Sequence, residues 1–305
     1  MKTNRVYILL ALLVIFIWGS TFISTKILLD DLTPIQIMLA RYLIAYLGLL
    51  VIYPRFHRPE GTKSELRYLL AALTGSTFYF LAENSALSFT QASNVSLLIS
   101  AAPILTSVAA HLCTRDEKMS RRQIYGFLSA MAGIFFVVCN GKFVLKLSPA
   151  GDLLALTAAL LWAFYCILLR RFDSPYKPVY ITRKIFFYAI LTMVPLLLLD
   201  RRQPAPGVFL LPWVWFHLVF LGLVASSVCY VLWYQVVAHL GAVRANNFVY
   251  LNPLVTMVFS VIFLRERITL LMLAGGVLIL LGVMIAEGTL GRREAVTKQE
   301  RKVSV

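Results

Sequence analysis

The sequence predicts an all-α polytopic membrane protein of ten transmembrane helices, arranged as two inverted five-helix repeats. Three observations lead there. Of the 305 residues, 60% are hydrophobic and 14% charged, with a mean hydropathy of +0.80, whereas a soluble domain holds about 45–50% apolar and about 25% charged residues. Ten apolar runs follow one another with no room for a soluble domain between them, each near the length that spans a bilayer core of about 30 Å. One stretch is also written twice. Ala92, Pro103, Glu117, Gly126 and Gly133 recur as Ala242, Pro253, Glu266, Gly275 and Gly282, with the spacing kept to within one residue.

The predicted spans are 6–24, 34–53, 67–88, 93–113, 123–140, 150–169, 178–199, 213–237, 243–264 and 268–286. Lys2 and Arg5 precede the first as they would in a secretory signal, but the run continues through Trp18 to Phe22 without a small-x-small cleavage site. It is therefore expected to be a retained helix. Pro54, Pro59 and Gly61 mark one loop at 54–66, and Pro204, Pro206, Gly207 and Pro212 another at 200–212. Gly141, Pro149 and Gly151 mark the join, so the first repeat is expected over 1–140 and the second over 141–287, with a basic tail at 288–305. Five spans per repeat is an odd number, so the second copy must lie upside down relative to the first. Inverted repeats of this kind form alternating-access transporters with a site at their interface.

Charge sets the orientation. The net charge of +15 lies in the loops, which fits the positive-inside rule better than a nucleic-acid partner. With the N-terminus in the cytoplasm, the inner segments hold Arg55, Arg58, Lys63 and Arg67, then Arg115, Lys118, Arg121 and Arg122, then Arg170, Arg171 and Lys177, and the tail. The outer segments hold Lys26, Lys142, Lys146, Arg201, Arg202, Arg265 and Arg267. Both termini are predicted cytoplasmic, in a bacterial-type inner membrane.

Candidate site residues follow from polar and aromatic groups where apolar ones belong. Ser93, Ser96, Ser100, Pro103 and Ser107 recur every three or four residues along the fourth span, on one face that must meet protein or water. Asn246, Tyr250 and Pro253 form the matching face of the ninth, with Asn247 and Asn252 beside it. Pro103 and Pro253 each free a backbone carbonyl, tolerated where it is buried or lines a cavity. The alternative is that small residues here only let helices approach closely. Trp18, Thr21, Tyr79, Trp162, Tyr165, Trp233 and Tyr250 join these faces, some as substrate-facing rings and some as interfacial ones. Trp18 and Trp162 lie about 18–20 Å into their helices, too deep for the near interface. Trp213 and Trp215 read as interfacial anchors. Gly126, Gly133, Gly275 and Gly282 read as close helix packing. Glu117 and Glu266 read as local caps or ion pairs, and Cys113, Cys139, Cys166 and Cys229 as buried thiols.

The ordered set of these motifs resembles the EamA-type branch of the drug/metabolite transporter superfamily. It comprises Trp18-Gly19-Ser20-Thr21-Phe22, Arg41, the two proline helices, and the Leu264-Arg265-Glu266-Arg267 turn before a Gly-rich last helix. The resemblance covers about residues 5–287. It implies ten helices, with the first, third, fourth, sixth, eighth and ninth around a central cavity and the fifth and tenth packed away from it. In the sixth span Trp162-Ala163-Phe164-Tyr165 departs from the small polar residues that follow Trp18.

The expected function is a secondary transporter exporting a small organic metabolite or amino acid, with a passive channel or an intramembrane enzyme as the alternatives. No P-loop, HExxH or Gly-x-Ser-x-Gly pattern occurs, and His57, His111, His217 and His239 are scattered. No cofactor, metal or nucleic acid is expected. The partners are the bilayer, a small-molecule substrate and a candidate coupling proton, for a monomer or homodimer. Arg41 and Glu83 lie about 10 Å and about 9 Å from the outer ends of sequential helices, by a rise of about 1.5 Å per residue. Three roles stay open: an ion pair, a proton or substrate-amine site at Glu83, or separate solvation. Arg183 and Lys184, near the inner end of the seventh span, are expected to snorkel.

Overall fold

The computed structural model describes residues 2–58, 61–90, 92–113, 121–139, 149–172, 175–200, 202–204, 206–264 and 270–286. Glu117, Lys118, Lys142, Lys146, Glu266, the basic tail, and the side chains of Cys113 and Cys139 lie outside them. Ten helices carry the described chain. They are α1 (Lys2–Leu28), α2 (Pro34–Ile52), α3 (Thr62–Ala72, continued through Leu73–Thr77 and Phe78–Phe89), α4 (Ala92–Ile99 and Ala102–Cys113) and α5 (Arg121–Cys139). The second set is α6 (Pro149–Arg170), α7 (Pro178–Leu199), α8 (Pro212–Val219, Phe220–Val228 and Cys229–Leu240), α9 (Ala242–Asn247, Phe248–Leu251 and Asn252–Leu264) and α10 (Leu270–Ala286). Six spans among the described residues, within α1, α2, α6, α7, α8 and α9, are by themselves long and apolar enough to cross a membrane.

Local chemistry sets the ends and the breaks. Thr33 caps α2: its hydroxyl accepts from Gln36 N while Gln36 Oε1 accepts from Thr33 N at 3.0 Å, and Pro34 fills the first helical position, where its missing N–H costs nothing. Proline likewise opens α7 and α8. Gly241, at φ +87°, turns the chain from α8 into α9. In α4 the helix breaks at 100–101, just before Pro103, and in α9 it tightens to a 3₁₀ turn over Phe248–Leu251, just before Pro253, because proline cannot donate to the carbonyl one turn back. α3 and α8 instead widen into π-helical stretches at Leu73–Thr77 and Phe220–Val228, at matching places in the two repeats.

The two sets of five interleave. α1 packs on α8 and α9, and α6 correspondingly on α3 and α4; α2 packs on α7 and α5 on α10. Outward faces are apolar: Val6, Leu9, Leu13 and Phe16 on α1, and Leu153, Leu156, Leu160 and Phe164 on α6, are exposed at helical spacing. In water such stripes would be a liability. In a bilayer they are the solvated surface.

α5 and α10 meet backbone to backbone. A Cβ at Gly133 would stand 2.5 Å from Gly275 O, and one at Gly282 would stand 2.5 Å from Gly126 O. The glycine spacing of the sequence thus belongs to helix packing, as expected. Cys166 and Cys229 are buried thiols outside any disulfide.

Ends are tied by matching devices. Lys26 at the end of α1 donates to Leu87 O, and to Thr90 O at 3.2 Å, covering carbonyls at the end of α3; Arg170 at the end of α6 donates to Ala238 O on α8 at 3.3 Å. Cations suit helix C-termini. The expectation that Arg183 snorkels is corrected. Its side chain is buried, donates to Tyr53 O and Arg55 O, and lies over the Phe56 ring at 4.8 Å. Lys184, half-buried, pairs with Glu65 at 2.5 Å. At the opposite end, Thr33 donates to Asp200 and Gln36 Nε2 to Arg202 O at 2.7 Å. α2 and α7 are therefore each linked to the loop that follows the other.

Candidate functional site

Where the repeats meet, a cluster of rings fills the middle of the bundle. The Trp18 and Trp162 rings lie 5.1 Å apart and nearly perpendicular, and Trp233 lies 5.1 Å from Trp18. Tyr79 approaches Trp162 at 5.2 Å and Tyr230 approaches Trp18 at 5.7 Å. Edge-to-face arrangements match the positive ring edge to the negative face.

The polar ends of Trp18, Trp162 and Tyr230 are held by backbone or side-chain partners, whereas Trp233 Nε1 is buried without one. Trp18 Nε1 donates to Ala225 O at 2.9 Å, and the Tyr230 hydroxyl donates to Gly75 O at 2.8 Å. Ala225 and Gly75 sit in the two π-helical stretches. A wider turn offers carbonyls to side chains that a regular helix would engage itself. Trp162 Nε1 donates to Asn246 Oδ1 at 3.0 Å, and the amide nitrogen of Asn246 donates to Ala242 O.

Beside the ring cluster is a cavity of about 30 Å³, room for about two water molecules. α1 contributes Trp18, Thr21 and Phe22; α3 contributes Tyr79, Phe80 and Glu83; α6 contributes Trp162. Ile99 of α4, Tyr230 of α8, and Val249 and Asn252 of α9 complete it, with Arg41 of α2. The six helices implied by the resemblance all line it, and α2 joins them through Arg41. Tyr79 and Glu83 are one turn apart and so share a face of α3.

Of the expected site residues, Trp18, Thr21, Tyr79, Glu83 and Trp162 line the cavity, with Arg41. Trp233 is wholly buried behind Trp18, and Tyr165 packs behind Trp162 at 5.2 Å. Asn246 acts on Trp162 instead of lining the cavity. Tyr250 turns away, into a cluster with Ala130, Met257 and Ile279. Ser96 accepts from Thr256 Oγ1 at 3.1 Å, and Ser100 donates to Ser96 O at 2.9 Å. Ser107 likewise spends its hydroxyl on Pro103 O. The hydroxyl stripe thus bonds its own helix and its neighbour, which is the packing alternative. Pro103 and Pro253 are buried at the helix breaks.

Arg41 and Glu83 make no ion pair within 4.0 Å. Arg41 Nε donates to Ser226 Oγ at 2.6 Å, and its guanidinium lies 4.2 Å from the Phe80 centroid. Phe22, Phe80, Ile99, Tyr230 and Val249 escaped the sequence reading because an aromatic or aliphatic residue inside an apolar run carries no sign of the direction it faces. Tyr230 had one usable signal, a hydroxyl at mid-helix. Among the described residues no three His, Cys, Asp or Glu side chains gather where they could hold a metal.

Ten helices in two interleaved inverted repeats around a small central cavity define a polytopic membrane transporter. The chain belongs to the EamA-like transporter family, whose model matches residues 5–139 and again 149–287. An "Uncharacterized transporter" of Archaeoglobus fulgidus is 29% identical over 287 residues, covering 92% of this chain and 97% of the relative. The "Uncharacterized transporter YyaM" of Bacillus subtilis is 26% identical, covering 99% of this chain and all of that one. A "Probable amino-acid metabolite efflux pump" of Escherichia coli is 25% identical over 94% of this chain and 96% of its own. A solved crystal structure superposes with a TM-score of 0.72 at 16% identity, covering 92% of this chain and 98% of the other, a likeness of fold. The protein is a transporter and not an enzyme.

Proposed function

We propose that the protein is a secondary transporter that exports a small organic metabolite or amino acid by alternating access, each repeat supplying half of the central site. One observation carries this reading: the cavity is lined from both repeats yet holds only about 30 Å³. A substrate of even a few heavy atoms fits only when the repeats part. The Escherichia coli relative's name supports an amino-acid metabolite as cargo. Coupling to a proton is proposed at Glu83, the buried carboxyl of the cavity. The reading further proposes a bacterial-type inner membrane, a division into repeats at 1–140 and 141–287, and a monomer or homodimer.

Reconstituted protein is expected to show saturable uptake of a labelled amino acid, accelerated by unlabelled substrate on the opposite face. Flux that neither saturates nor shows counterflow is a channel's behaviour and sinks the carrier reading.

Both termini are proposed to be cytoplasmic, from the excess of Lys and Arg on the corresponding loops. Lys63 and Asp30 are exposed at opposite ends of the bundle's first repeat. On intact cells a membrane-impermeant thiol reagent is expected to label Asp30→Cys strongly and Lys63→Cys only after permeabilisation. The reverse pattern inverts the orientation.

A further inference from the structure

A cationic and an acidic side chain line one cavity without a close ion pair between them. Arg41 and Glu83 are 2% and 3% exposed, and buried charge inside a membrane is expensive unless it is paired or functional. Direct pairing would be the cheapest remedy, and it is not taken.

Arg41 is held by other means. Its Nε is engaged by Ser226 Oγ at 2.6 Å and its guanidinium plane is supported by Phe80 at 4.2 Å. That fixes the group in place while both Nη nitrogens stay able to donate, the fork that matches a carboxylate. The Glu83 carboxyl lines the same cavity, with the Tyr79 phenol beside it. From the other repeat comes Asn252, 5% exposed, whose Oδ1 accepts no hydrogen bond in the protein. An unsatisfied buried acceptor is costly, so one retained in a residue that lines the cavity points to a donor supplied by a ligand. The cavity therefore brings together a carboxyl, an amide acceptor and a cationic donor among aromatic rings.

We infer that the cavity is a zwitterion site: Glu83 and Asn252 take a substrate's ammonium group, Arg41 takes its carboxylate, and the Trp18 and Trp162 rings cover its apolar part. The inference rests on the transporter reading above and deepens it. Each charge also acts against the wrong cargo. A simple amine meets Arg41, a simple acid meets Glu83, and only a molecule carrying both groups satisfies both walls. Because Asn252 belongs to the second repeat and the two charges to the first, the ligand would bridge the repeats.

The test is thermal stabilisation of the purified full chain in detergent by the twenty protein L-amino acids. Each one that stabilises is followed by its methyl ester, which masks the carboxylate, and by its desamino acid, which lacks the ammonium. At least one amino acid is expected to bind, with both analogues weaker by tenfold or more. Glu83→Gln is expected to weaken the amino acid at least tenfold and leave the desamino acid unchanged or tighter. Arg41→Gln should do the converse with the ester. Ratios within one variant are insensitive to its overall stability, and the wild-type analogue series decides the matter if a variant does not fold. Stabilisation by no amino acid overturns the inference, as does equal binding of parent and analogues, or a Glu83→Gln variant that weakens parent and desamino acid alike. Expected binding without counterflow in vesicles instead sinks the transporter reading and leaves the site standing. Counterflow of an amino acid whose ester binds equally well overturns the site alone.

Discussion

Gly133→Val and Gly282→Val are each expected to leave little folded protein. A Cβ at Gly133 would stand 2.5 Å from Gly275 O and 2.7 Å from Ile279 N; one at Gly282 would stand 2.5 Å from Gly126 O and 2.6 Å from Ala130 N. These are main-chain atoms of a facing helix and have no rotamer to yield with, so α5 and α10 must separate. Overpacking costs typically about 1–3 kcal/mol and occasionally more, and valine adds two methyl groups beyond the Cβ. Separation also strips away packing of small residues that drives helix association in lipid, where apolar surface by itself supplies no attraction. Gly276→Ala is the control: its Cβ would meet Leu254 Cδ2 at 3.0 Å, the far end of a flexible side chain, so its loss should be slight. Fluorescence-detected size exclusion after a heating series measures this. A Gly133→Val midpoint equal to that of the unsubstituted protein would contradict the α5–α10 arrangement.

The second large effect is expected at the ring cluster. Trp18→Ala would empty the middle of the bundle, and truncating a buried tryptophan costs about 3–5 kcal/mol, so lost folding would obscure lost transport. Trp18→Phe keeps an aromatic ring against Trp162 and Trp233 but removes the donor to Ala225 O. Asn246→Leu keeps the volume and removes the acceptor of Trp162 Nε1. Each orphans a buried group, at about 1–3 kcal/mol, and each frees one ring of the pair that covers the cavity. Transport is expected to fall at least tenfold while extracted protein remains near normal. Counterflow rates normalised to purified protein decide it, and normal rates in both variants would remove these rings from the transport cycle.

Much of this architecture was legible in order of residues alone. Hydropathy places helices because a bilayer admits only chain that satisfies its own backbone. The repeated Ala92/Pro103/Gly133 and Ala242/Pro253/Gly282 spacing identifies the duplication, and glycines one heptad apart anticipate α5 on α10. Trp18, Trp162, Arg41 and Glu83 were recognisable because large rings or charges at such depth require an explanation. Ser100 and Asn246, expected on the cavity face, make their bonds elsewhere for one shared reason. Periodicity assigns a face to a side chain, but a short polar group on that face chooses its partner afterwards, here its own helix or a neighbouring indole.

The sequence by itself determined the number of helices, the inverted duplication and the identity of the deep polar residues, since each follows from local spacing and from the cost of polarity in lipid. Only the tertiary structure decided which of those residues share a cavity. Arg41 and Glu83 sit at matching depth on sequential helices, and depth alone leaves an ion pair open among their roles. Packing of α8 against α2 brings Ser226 to Arg41 and Phe80 holds its guanidinium, while α9 brings Asn252 to the same cavity. A contact between residues far apart in the chain is set by how helices cross, and helix crossing is a property of every packed side chain at once.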